Sequence, residues 1–150
     1  MIIIRNQQRK IKVDLTKLEQ DATKILAALK YSNFDLTILL VNETTIQQYN
    51  RDYRQKDQPT DILSFPFHAN IGAGDYIVPT CEDDQNLGDI ILCPPYILND
   101  LERWEKSFEE RIQILLVHGI CHLLGYDHIL DEDYEIMKKQ EEWLLAQINK

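Results

Sequence analysis

Cysteine is scarce in this sequence. Cys81, Cys93 and Cys121 are the only three, an odd number without CxxC spacing, which argues against a disulfide framework or a zinc ribbon and suits a reducing compartment. Glycine and proline are equally sparse at five each, and the chain carries no internal repeat, low-complexity tract or linker. Long apolar runs are missing as well. Met1 to Ile4 is followed at once by Arg5 and by Gln7 to Lys10, so there is no signal-peptide core and nothing to span a bilayer, and the chain reads as soluble and cytoplasmic. Positive charge is in deficit, with 16 Lys and Arg against 25 Asp and Glu and a formal net charge of −9. That balance is awkward for any nucleic-acid binding through an overall field, so such binding would have to be local. Arg5, Arg9, Lys10 and Lys12 form one basic cluster, which reads as a solvated face, and Arg51, Arg54 and Lys56 form another.

What is present suits one compact domain over residues 1–150, with 44% hydrophobic residues to build a core. Ile2 to Ile4 reads as a strand, and from a cap at Asp14 the residues Leu15, Leu18, Ile25, Leu26 and Leu29 follow a helical period. Phe34 to Val41 returns to strand, and the Asn42 to Thr44 signals open a short helix toward Arg51. Ile62 to Phe67 reads as a buried strand whose Pro66 places its end at a sheet edge. Ala69 to Asn86 reads as a long surface loop, Leu87 to Leu92 as a strand stopped by Pro94 and Pro95, and Tyr96 to Trp104 as helical. Ser107 and Glu110 match a capping box before an apolar helix from Ile112 through Leu124, the predicted centre of the core. Gly125 stands where a left-handed stop belongs, and Asp131 to Asp133 open a final amphipathic helix carrying Tyr134, Met137, Trp143 and Ile148. Irregular mixing of strands and helices points to an α+β class, a small mixed sheet packed on one central helix.

Three of the four histidines lie in the central helix and just beyond it, at His118, His122 and His128. On a helix, His118 and His122 sit about 40° apart and about 6 Å along the axis, so both imidazoles reach one ion. A turn at Gly125 ends the helix and lets His128 swing back to complete the set. This is the H-x-x-x-H-x-x-G-x-x-H spacing of the metzincin zinc site, hence a metzincin-like domain, but Gly119 replaces the glutamate that serves those proteases as proton acceptor. Its absence lowers the expectation of peptide hydrolysis and leaves the three-ligand site intact. Three neutral imidazoles leave the fourth position of a zinc ion open, as a catalytic site needs, and Cys121 projects away as a small buried hydrophobe. One Zn2+ per chain is the expected cofactor. Asp127, beside His128, is expected to orient a ligand imidazole, while His68 reads as a loop residue.

The chain resembles the YbeY-type endoribonucleases, bacterial metalloproteins of ribosomal RNA maturation. The likeness runs through Tyr53-Arg54-Gln55-Lys56-Asp57-Gln58-Pro59-Thr60-Asp61-Ile62-Leu63-Ser64-Phe65-Pro66, then Leu87-Gly88-Asp89-Ile90, then His118-Gly119 and His122-Leu123-Leu124-Gly125-Tyr126-Asp127-His128. Cys121, where the family usually has leucine, and His68, where an acidic residue is common, depart from it. The resemblance implies zinc on the three histidines, Arg54 and His118 as catalytic residues, and cleavage of single-stranded RNA in small-subunit rRNA 3′-end processing and ribosome quality control. It implies the small ribosomal subunit and its proteins as partners, with no role for DNA or membrane. An Arg54 guanidinium can grip a phosphate in a bidentate fork, and Lys56 would extend the grip along the backbone. The competing readings are a metal-dependent hydrolase of a peptide or ester bond, and a ribosome-assembly factor with a structural metal.

Overall fold

Large aliphatics alternate along Asp35–Leu40, where Leu36, Ile38 and Leu40 are buried, and this period of two makes the segment a strand with one face committed to a core. In the computed structural model, which describes residues 1–150, it is β2 of a four-stranded sheet. The others are β1 (Ile2–Asn6), β3 (Ile62–Pro66) and β4 (Asn86–Leu92), and the spatial order is β1-β2-β4-β3. β1, β2 and β4 run parallel, and β3 pairs antiparallel with β4 at the edge, as Pro66 requires of its strand. The sheet is mixed and the class is α+β.

Five helices complete the chain: α1 (Leu15–Ala28), α2 (Glu43–Arg54), α3 (Pro94–Asn99), α4 (Phe108–Leu123) and α5 (Asp131–Ile148). Their starts follow local chemistry. Asp14 accepts a hydrogen bond from the Lys17 N–H, Asn42 accepts from Thr45 N–H, and Ser107 and Glu110 exchange both bonds of a capping box. One face of the sheet, through Leu36, Ile38, Ile90 and Leu92, joins α1, α4 and α5 in the main core. The opposite face, through Leu63, Ile91 and Cys93, packs on Ile46 of α2 in a smaller one. No helix is long and apolar enough to cross a membrane.

Three segments differ from the sequence reading. Pro94 and Pro95 begin α3 instead of preceding it, because a first turn has no use for their missing N–H groups. That helix ends at Asn99, and Leu101–Arg103 forms a separate 3-10 turn before Trp104. The stretch from Ala69 is anchored: Ile77 is buried, its N–H donates to the Tyr31 hydroxyl at 3.0 Å, and Tyr76 stacks on Tyr31. On α5 the buried stripe is Met137, Leu144 and Ile148, while Tyr134 and Trp143 are exposed.

Candidate metal centre

α4 lies beneath β3 and β4 so closely that a Cβ at Gly119 would come within 2.8 Å of Ile62 Cδ1, 3.1 Å of Ile90 Cδ1 and 3.2 Å of Ser64 Oγ. A glutamate at Gly119, where a protease of this spacing would carry one, would require the side-chain ends of Ile62, Ile90 and Ser64 to shift. The same approach brings His118 and His122, one turn apart on the last part of α4, to the outer edge of β3.

The third histidine arrives through the turn. Gly125 takes φ +90°, in the left-handed region that costs a side-chain-bearing residue about 1–2 kcal/mol, and a Cβ there would lie 2.2 Å from the Ile71 carbonyl oxygen. The chain folds back through Tyr126 and Asp127 and brings His128 beside the pair. Ring centroids are 4.5 Å apart for His118 and His122, 5.2 Å for His122 and His128 and 5.6 Å for His118 and His128. One nitrogen from each lies within 4.8 Å of the others.

Hydrogen bonds fix which nitrogens face inward. His122 Nδ1–H donates to the Tyr126 carbonyl at 2.9 Å, and a carbonyl can only accept. His118 Nδ1–H donates to Glu141 Oε2, also at 2.9 Å. In the neutral rings both Nε2 atoms then carry lone pairs, and these face each other at 3.0 Å. Two lone pairs so close repel unless a cation sits between them, so the donor set fits a metal ion bound through imidazole Nε2. Burial, with smaller contributions from His118 and His128, lowers the His122 pKa from 6.5 to about 4 and keeps that ring neutral.

The histidines open onto a cleft of about 710 Å³ along the outer edge of β3. Arg54, at the end of α2, also lines it, together with Asp61, Ser64 and Asp127. Asp61 is held at 3.3 Å by Arg111, whose guanidinium lies 3.7 Å over the Trp104 ring. Lys56 is exposed on the turn after α2 and does not line the cleft. The Asp127 carboxylate accepts from the Ile129 N–H at 3.3 Å in the turn, and the carboxylate bonded to a ligand imidazole is that of Glu141. His68 bonds the Asp84 carbonyl, away from the cleft, and Cys121 is fully buried, where desolvation raises its pKa.

Glu141 escaped the sequence reading, although a signal was present. It falls four residues after Met137 and three before Leu144, so it interrupts the buried stripe of α5 with a carboxylate that needs a partner.

A family model described as endoribonuclease YbeY matches residues 3–149. The human protein named endoribonuclease YbeY is 36% identical over 149 residues, which are 99% of this chain and 89% of that one. The protein of that name from Halalkalibacterium halodurans is 41% identical over 120 residues, 79% of this chain and 75% of its own length. Among solved structures, the solution structure of TM1509 from Thermotoga maritima is similar with a TM-score of 0.59 at 27% identity, covering 97% of this chain and 90% of that one.

Proposed function

This chain belongs to the endoribonuclease YbeY family, and on that premise we propose that it is a zinc-dependent endoribonuclease that cuts single-stranded RNA in ribosomal RNA maturation. Its place of action in this reading is the cytoplasm, at the 3′ end of small-subunit rRNA and in ribosome quality control, with residues 1–150 acting as one domain. The observation that carries the reading is the inward-facing pair of Nε2 lone pairs at 3.0 Å, with His128 closing the set on a cleft that Arg54 also lines.

His118, His122 and His128 would hold the ion, which when bound supplies Lewis-acid chemistry toward a phosphate or a water. The chain's own groups do the rest. Glu141 and the Tyr126 carbonyl keep the Nδ1 protons of two ligands and so hold their rings in orientation. Arg54 offers a planar fork of donors to the phosphate, fixing its register and offsetting the charge that grows on its oxygens. Asp61, bonded to Arg111, and Asp127, tied to its turn, also line the cleft, which leaves Arg54 as its cationic side chain for a phosphate.

The test is cleavage of a single-stranded oligoribonucleotide by metal-loaded protein beside a His122→Ala variant, with elemental analysis of both. We expect about one zinc per chain and cutting by the wild type alone; equal cutting by both would end the proposal. The net charge of −9 favours one further reading, an assembly factor bound to ribosomal proteins in which the ion only stabilises the fold. Folded metal-site variants that restore rRNA processing in cells would establish it. Proteolysis has little support, because Gly119 stands where such proteases carry their proton-accepting glutamate.

A further inference from the structure

We propose that Tyr53, mounted on Tyr49 and Phe65, is a stacking platform for a base of the single-stranded RNA beside the phosphate held by Arg54, an inference that rests on the function proposed above. Tyr49 and Tyr53 lie one turn apart on α2, with ring centroids 6.1 Å apart and planes 19° from parallel. Phe65, on the edge strand β3, meets Tyr53 edge-on at 5.2 Å and Tyr49 at 6.3 Å. Tyr49 and Phe65 pack on the smaller core, so the group is anchored from below. Tyr53 itself is 63% exposed, an aromatic ring held in place yet left largely in water.

Its position gives that exposure a use. Tyr53, Arg54 and Phe65 line the same cleft as the three histidines, on the opposite side of the β3 edge. The end of α2 is fixed by Gln55 in the left-handed conformation at φ 58°, by Lys56 N–H bonded to the Asn50 carbonyl, and by Asn50 Nδ2 bonded to the Gln58 carbonyl at 2.8 Å. The backbone that carries Tyr53 and Arg54 is therefore fixed, and it offers one side chain for a base and one for a phosphate.

Charge gives the platform a role. Beyond Arg54 and the ion, the field offers a polyanion little, since the net charge is −9 and Asp61 and Asp127 also line the cleft. Stacking is indifferent to net charge, and one base on one aromatic ring changes affinity by about 5- to 150-fold. It is tolerant of sequence, because every base has a π-face, and it demands an unstacked base, which selects single strands over duplex.

The experiment compares zinc-loaded wild type, Tyr53→Leu and Tyr53→Phe on a single-stranded oligoribonucleotide and on a set in which successive positions are abasic. Metal content and melting temperature report that the variants are folded. The expected result is a loss of about 5- to 150-fold in RNA affinity for Tyr53→Leu, near-wild-type affinity for Tyr53→Phe, and one abasic position that weakens the wild type but not Tyr53→Leu. If the wild type cuts RNA and Tyr53→Leu binds as tightly, or if every abasic position weakens both equally, the platform is overturned while the nuclease reading stands. Folded, zinc-loaded wild type that neither binds nor cuts single-stranded RNA overturns both.

Discussion

Replacing Glu141 by Ala leaves all three histidines in place but removes the acceptor of the His118 Nδ1 proton, so the ring loses its orientation. Metal affinity is expected to fall about 10- to 100-fold, and less for Glu141→Gln, which keeps an acceptor. Competition with a chromophoric chelator measures both. His122 makes a second prediction. Its folded pKa, about 4, lies below its ordinary 6.5, so the unfolded chain binds the proton first as pH falls. The stability this contributes to the metal-free protein is therefore present above pH 6.5 and is lost between there and about 4. Urea midpoints of metal-free wild type across that range should decline more steeply than those of His122→Ala. At this scale the sequence carried the histidines, because their spacing is local. It concealed the partner of Glu141, because that depends on how α5 is placed against α4 in space.

Elements explain why the site can exist at all. The turn after α4 needs Gly125 twice over, for its positive φ and for the room taken by Ile71 O. Gly125→Ala should cost at least the roughly 1–3 kcal/mol of a strained backbone and should weaken metal binding by displacing His128. Gly74→Ala is the control: its φ of +86° is similar, but nothing lies within 4 Å of the added Cβ, so only the backbone cost should appear and metal affinity should be unchanged. Thermal melts paired with chelator competition separate the two. The caps at Asp14, Asn42 and Ser107 and the edge position of β3 were legible, since each rests on neighbours in sequence. The start of α3 at Pro94 and the burial of Ile77 were not, because a proline pair can close one element or open the next, and a lone apolar residue in a loop shows no period.

For the whole molecule, the ion would pin the end of α4 to the turn that follows it. Binding to the folded state alone raises stability by about 2.7 kcal/mol at a free zinc concentration 100 times Kd. In a chain of this size that corresponds to a rise in Tm of about 5–10 °C, read by differential scanning with and without chelator, and no rise is expected for His122→Ala. The mixed sheet and the two cores follow from strand alternation and helix period, which the sequence displays. The cleft does not, since it joins α2, the β3 edge and the turn after α4, three places with no local pattern in common. The contact between Glu141 and His118 has a consequence for the far end of the chain. A premature stop before α5 would spare every ligand in the sequence yet take away both the carboxylate that aims one of them and the Met137, Leu144 and Ile148 side chains on which α4 packs, so a truncated product would keep the motif on paper and lose its grip on the ion.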